Sequence, residues 1–344
     1  ARLCTNWLPF YVFFTCQTHH NQGEGIDIVQ KTKEIRSKAK KCVEESIMLA
    51  KEEFSYLNIK PLAYNIKANI EFGKRKMIKA LEYIDYGLAS YNEEGEREDR
   101  YDMLKANKAD YLQRLARFNE ANEIINELLE RVDEIPLKMV VAHVYELKAK
   151  SELRTQNYES AVINAEKGLR VTLQHDIMHR YFELRSVLGN IYLKIEKHDF
   201  AEKSYMSCLA VEHQLAPDQF GPMVEVYCSL GRLLLDTNRI EEGRFYFEQA
   251  VCKCKNNAYA YEQYAVALEG IGDYFYMKDK PQESISNLEQ ALKIYEKLES
   301  KKSEIKGVSL KLAISYTNID KKMEMYYMRM YKDLANPYNH LSSH

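Results

Sequence analysis

Apolar positions in this chain repeat on a long period. Small residues at Ala80, Ala121, Ala161, Ala201, Gly243 and Ser284 occupy matching local settings at steps of 41, 40, 40, 42 and 41 residues, with a degraded copy near Met325. Within each copy, apolar residues recur at three- and four-residue intervals, the spacing of an amphipathic helix. A fixed period of this size predicts stacked helical hairpins, each burying its apolar face only against its neighbours.

The unit is clearest in Leu188-Gly189-Asn190-Ile191-Tyr192 with Ala201, Tyr205 and Cys208. It returns in Leu230-Gly231, Leu234, Gly243, Phe247 and Ala250, and in Ile271-Gly272, Phe275, Ser284, Leu288 and Ala291. In all three, the small residue of the first helix precedes that of the second by 12 positions. Ala68, Ala109 and Ala149 stand in the same relation to Ala80, Ala121 and Ala161. Small residues let two helices cross closely, and large ones fill the space beside the crossing. The pattern resembles the tetratricopeptide repeat, lengthened from its usual unit of about 34 residues. The expected fold is all-α: a right-handed superhelical solenoid of tetratricopeptide-like hairpins, period about 40 residues, over 26–335.

Turn-like stretches separate the expected helices at 92–95, 134–136, 155–157, 196–199, 278–281 and 300–303. Pro281 suits a helix start, where its missing N–H has no partner in any case. Residues 1–25 break the pattern. Trp7 to Phe14 is an apolar run too short for a bilayer, which takes about 20 residues. This segment is expected to be irregular, in keeping with a further domain upstream, and 336–344 to be a C-terminal tail.

Composition agrees with a helical array. Among 344 residues there are only 13 Gly and 7 Pro, so helix breakers are scarce. The formal net charge of −2 gives no basic excess for neutralising phosphates, so DNA contact is expected only through an upstream domain. The seven cysteines lack metal-site spacing and read as small apolar residues of a reducing cytoplasm. His175, His179 and Glu183 are spaced by four and are weighed as a metal-binding face. Without a glycine-rich phosphate loop or a nucleophile elbow, neither an enzyme nor a cofactor is expected.

Function is then sought on the first helix of each hairpin. Its inner positions give a polar surface of mixed charge and several amides, including Asn65, Asp110, Leu235 and Asp273 beside the candidates named below. Amide side chains carry both a donor and an acceptor, so each can hold the backbone of an extended peptide. Arg154, Lys150 and Arg232 suit a peptide carboxylate, and Glu146, Asp236 and Glu269 suit a peptide amine. Tyr276 is the tyrosine expected to face a ligand.

The hairpin length, the composition, Leu188-Gly189-Asn190-Ile191-Tyr192 and 250–254 together resemble the Rap/NprR/PlcR/PrgX (RNPP) family of quorum-sensing peptide receptors, above all its neutral-protease-regulator branch without the DNA-binding domain. That resemblance implies a cytoplasmic receptor for a short signalling peptide, with asparagines gripping the peptide backbone. Asn190 matches that role best, and Asn318, expected on the first helix of the last hairpin, comes second. It also implies a homodimer or tetramer, no membrane association, and control of transcription or of a sporulation phosphorelay response regulator. The alternative is a tetratricopeptide scaffold or co-chaperone that holds a protein C-terminus. Asn69 and Asn107 fall at that clamp's two asparagine positions, but Asn65, His143 and Leu147 occupy its cation positions.

Overall fold

The computed structural model describes residues 37, 38, 40–45, 47, 48, 52–74, 76–96, 99–215, 220–254, 261–298 and 301–335. The expectations for residues 1–25 and 336–344 lie outside these. The described residues are helical with short turns and contain no strand. The α-helices are α1 (Ile59–Gly73), α2 (Met77–Ala89), α3 (Asp99–Arg114), α4 (Phe118–Glu130), α5 (Lys138–Arg154), α6 (Tyr158–Gln174) and α7 (Met178–Lys194). They continue with α8 (His198–Ala210), α9 (Phe220–Asp236), α10 (Ile240–Cys254), α11 (Tyr261–Met277), α12 (Pro281–Tyr295), α13 (Lys302–Ser315) and α14 (Lys321–Ala335). Pro281 opens α12 as its missing donor allows.

The chain divides into two compact units, residues 1–196 with 210–217, and residues 197–209 with 218–344. In the first unit, α1/α2, α3/α4 and α5/α6 are hairpins, and α7 packs on α5 and α6. In the second, α9/α10, α11/α12 and α13/α14 are hairpins, each packed on the next.

The small-residue register accounts for the core of each unit. Ala68, Ala80, Ala109, Ala121, Ala149 and Ala161 are completely buried in the first, as are Ala201 and Ser284 in the second. The large residues predicted beside them follow: Tyr205, Phe247 and Leu288 are enclosed. Cys208, at its packing position, is buried as well. One glycine outside the register matters more than those within it. Phe247 on α10 lies between Gly231 on α9 and Gly270 on α11, and a Cβ on Gly270 would come within 2.1 Å of its ring.

The turns have their own period. Ala116, Gln156, Glu196, Asn238, Asp279 and Asn318 each hold a positive φ, between 55 and 65°. The turns at Ala116, Gln156, Asn238 and Asp279 close a Schellman pattern. Ala116 N–H donates to Gln113 O and Arg117 N–H to Leu112 O, and Asp279 with Lys280 repeats this on Tyr276 and Phe275.

This corrects two expectations. Asn318 is not on the first helix of the last hairpin but in the turn between α13 and α14, where asparagine tolerates the left-handed backbone. Counting five residues on from the turn residue, as from Ala116 to Ala121, registers the last copy on Met323 rather than Met325. Met323 packs against the core, whereas Met325 is exposed.

Candidate functional site

In the first unit, helices α3, α5 and α7 bring their polar positions together into an ion network. Glu146 on α5 is 1% exposed and is held by Lys150, one turn along the same helix, and by Arg180 on α7 at 3.0 Å. Arg180 also pairs with Glu183 at 2.5 Å. Asp110 on α3 pairs with Arg114 at 3.0 Å, and His143 on α5 is buried in the same cluster. Buried charges persist only when paired, and here three carboxylates face three cations.

The electrostatics follow from burial and these neighbours. Burial alone would raise the Glu146 carboxyl, but the charges of Lys150 and Arg180 hold it below the usual carboxylate range. Glu183 goes the other way, pushed up to about 7 by burial and by the Glu146 charge. Burial and the neighbouring Arg180 depress His143 to about 3 and His179 to about 4, so both imidazoles are neutral at physiological pH.

Beside the network, the ends of α5 and α7 border an open depression of about 450 Å³, lined by Lys150, Leu153, Arg154, Gln156, Tyr158 and Lys194. It has three cations and no carboxylate. The Arg154 guanidinium is stacked on the Phe118 ring at 3.6 Å, which fixes it without neutralising it. Asn190 is exposed on α7, one turn before Lys194. Lys150, Arg154 and Asn190 are thus candidates that fall in one region. Glu146 does not share their exposure. Both its oxygens are engaged inside the protein, which corrects its expected place among the exposed inner positions. Asn65 is also buried, accepting from Asn107 at 2.7 Å, and Leu235 is core.

In the second unit, Arg232 and Asp236 are exposed on α9, and Tyr276 is exposed near the end of α11. Glu269 and Asp273 on α11 share Lys311 of α13, at 2.7 and 2.6 Å, and Tyr295 Oη donates to Glu269 at 3.2 Å. Burial raises Asp273 despite Lys311. Asn318, in its turn, makes no part of this group.

Both alternative constellations are altered by the packing. His175 lies in the turn after α6, so it does not share a helix with His179 and Glu183. Among the described residues, no group of three His, Cys, Asp or Glu is arranged to hold a metal. Of the co-chaperone positions, Asn69 accepts from Tyr111 Oη at 2.8 Å, Asn65 and Asn107 bond each other, and His143 and Leu147 are buried.

Repeated hairpins with small residues at each crossing define a helical array of the tetratricopeptide type. The tetratricopeptide repeat profile matches residues 224–251, which are most of the α9/α10 hairpin. The chain is 17% identical to the apo form of the quorum sensor NprR from B. thuringiensis, with a TM-score of 0.65 over 97% of both chains. It is 13% identical to a signal transduction ATPase with numerous domains carrying a tetratricopeptide repeat sensor, from Pyrococcus horikoshii. There the TM-score is 0.66, over 93% of this chain and 48% of that one. Among curated sequences it is 23% identical over 207 residues to Protein KINESIN LIGHT CHAIN-RELATED 1 of Arabidopsis thaliana, 59% of this chain. The chain spans about a third of that relative's length (34%). These likenesses establish the fold. Among the described residues, no helix is long and apolar enough to cross a membrane.

Proposed function

We propose that this chain is an intracellular receptor for a short signalling peptide whose carboxylate end enters the depression at the ends of α5 and α7. The observation that carries this reading is that Lys150, Arg154 and Lys194 line one open depression with no carboxylate among its lining residues. Lys150 is shared with the buried Glu146, whereas Arg154 and Lys194 have no ion pair among the described residues; such cations suit an anionic group, and Arg154 offers a planar fork matched to a carboxylate. Asn190, exposed one turn from Lys194, is suited to pair with the peptide backbone as both donor and acceptor. The likeness in fold to a quorum sensor supports the same reading. Peptide occupancy would then bias the oligomeric state, a homodimer or tetramer, and through it transcription or sporulation control.

The test is a synthetic array of heptapeptides probed with the labelled protein, followed by calorimetry on the best binder. The receptor reading expects micromolar or tighter binding that Asn190→Ala abolishes while the melting temperature stays within a degree or two. Binding that is unchanged by both Asn190→Ala and Arg154→Glu would overturn it, and would favour a protein scaffold that uses another face.

A further inference from the structure

Lys150 belongs to two places at once. It lines the open depression, and it holds Glu146, which is buried. Glu146 in turn shares Arg180 with Glu183, and the buried Nε of Arg180 has no hydrogen-bond partner. Lys150 also lies within electrostatic reach of Asp110 and Glu183, as Arg114 and Arg180 do, but of these three cations it alone also lines the depression.

The network is balanced only while Lys150 serves it. Arg180, Glu146, Lys150 and Arg114 act on Glu183 directly, and His179 on its own helix, His143 on α5 and Asp110 on α3 belong to the same cluster through Glu146. Helix α6, packed on α5 and α7, keeps its charged residues Glu159, Glu166, Lys167 and Arg170 exposed. With both histidines neutral, Asp110, Glu146 and Glu183 face Arg114, Lys150 and Arg180. An anion that takes Lys150 adds a fourth negative charge beside a poorly solvated site. Such an excess is relieved by protonating the carboxylate least stabilised by cations. That carboxylate is Glu183. In direct ion pairs Glu146 has two cations, whereas Glu183 has only a share of Arg180, with Lys150 acting on it from farther off, and it lies beside the Glu146 charge.

We propose that an anionic ligand end bound at Lys150 draws a proton from solvent onto the Glu146–Glu183 pair, so that occupancy of the depression is coupled to pH. This rests on the carboxylate reading of that depression, and it adds the network beneath as the element that responds. Affinity would weaken as pH rises past the point where the pair can no longer take up the proton.

Two measurements test it. In ligand-free protein labelled with ¹³C-carboxyl glutamate, the Glu183 signal is titrated in the native chain and in Lys150→Met. Lys150→Gln serves if the methionine variant fails to fold. Removing the lysine charge should move the midpoint up by roughly one pH unit. An unmoved midpoint overturns the coupling. Then an N-acetylated heptapeptide taken from the array, with a free or an amidated C-terminus, is bound at pH 7 in phosphate and in Tris, buffers that differ in heat of ionisation. Proton uptake with the free-carboxylate peptide, lost in Glu183→Gln, supports the coupling. Binding of that peptide without proton uptake overturns it and leaves the receptor reading intact. A shifted midpoint in Lys150→Met with no binding of either peptide overturns the receptor reading instead.

Discussion

Gly270→Ala separates two opposed physical effects in the second unit. On helix propensity alone, replacing a mid-helix glycine with alanine stabilises by about 1 kcal/mol. Packing predicts the reverse. A Cβ at position 270 would lie 2.1, 2.3 and 2.5 Å from three carbons of the Phe247 ring, against an ordinary contact of at least 3.4 Å. The ring would need to retreat by more than an ångström, and it has nowhere to go. Phe247 is completely buried, and at its opposite edge a Cβ at Gly231 would already be 2.9 Å away. Overpacking costs about 1–3 kcal/mol, and a buried ring confined at both edges belongs at the upper end. The net expectation is a loss of about 2 kcal/mol once propensity is offset. Urea denaturation followed by helical circular dichroism should show a lower midpoint for Gly270→Ala. Combining it with Phe247→Leu, which removes the obstructing ring, should recover about 1 kcal/mol or more relative to additivity. A variant more stable than the native chain would mean that propensity wins and that Phe247 does not occupy the crossing.

Three further outcomes follow. Asn318→Ala should destabilise by about 1 kcal/mol and Asn318→Gly should be neutral or better, because the backbone there is left-handed at φ 65°; neither should alter peptide affinity, and calorimetry beside thermal melts checks both. Glu183→Gln should have little effect on stability below about pH 4.5 and stabilise by about 1–3 kcal/mol above pH 7. The sign follows from a folded-state carboxyl raised to about 7 from its ordinary 4.5. The native chain loses that stability as pH rises through this window, and the amide does not; a pH-independent difference in urea midpoints would refute it. Gly231→Leu should destabilise by about 1–3 kcal/mol, since α9 and α10 meet at that residue, and an unaffected midpoint would refute the register.

The array itself is legible in the residue pattern because a helix crossing leaves room for only Gly, Ala or Ser. The twelve-residue offset therefore reads straight through to buried residues such as Ala109, Ala121 and Ser284. Gly270 escapes that pattern because it serves Phe247 from the next hairpin rather than its own register. Asn318 misleads for a related reason. An asparagine near the end of a helical pattern suits either an inner wall or a left-handed turn, and only the 39–42-residue recurrence of positive φ decides between them. The ion network is the least legible part. Glu146 and Arg180 are 34 residues apart and Glu269 and Lys311 are 42, so each pair is made across neighbouring repeats. Charge at an inner position does not say whether it faces solvent or a partner one repeat away. What could have pointed to the network is the set Glu146, Lys150, Arg180 and Glu183, opposite charges recurring one repeat apart.

The receptor reading requires that the cations at the ends of α5 and α7 receive a carboxylate. The most direct measurement is the affinity of one array-selected heptapeptide with a free C-terminus against the same peptide amidated, in the native chain and in Arg154→Glu. Amidation should weaken binding by about tenfold or more, the roughly 1.5 kcal/mol or above of a charge-assisted hydrogen bond, and Arg154→Glu should remove the difference. Equal affinities for the two peptides in the native chain would contradict it.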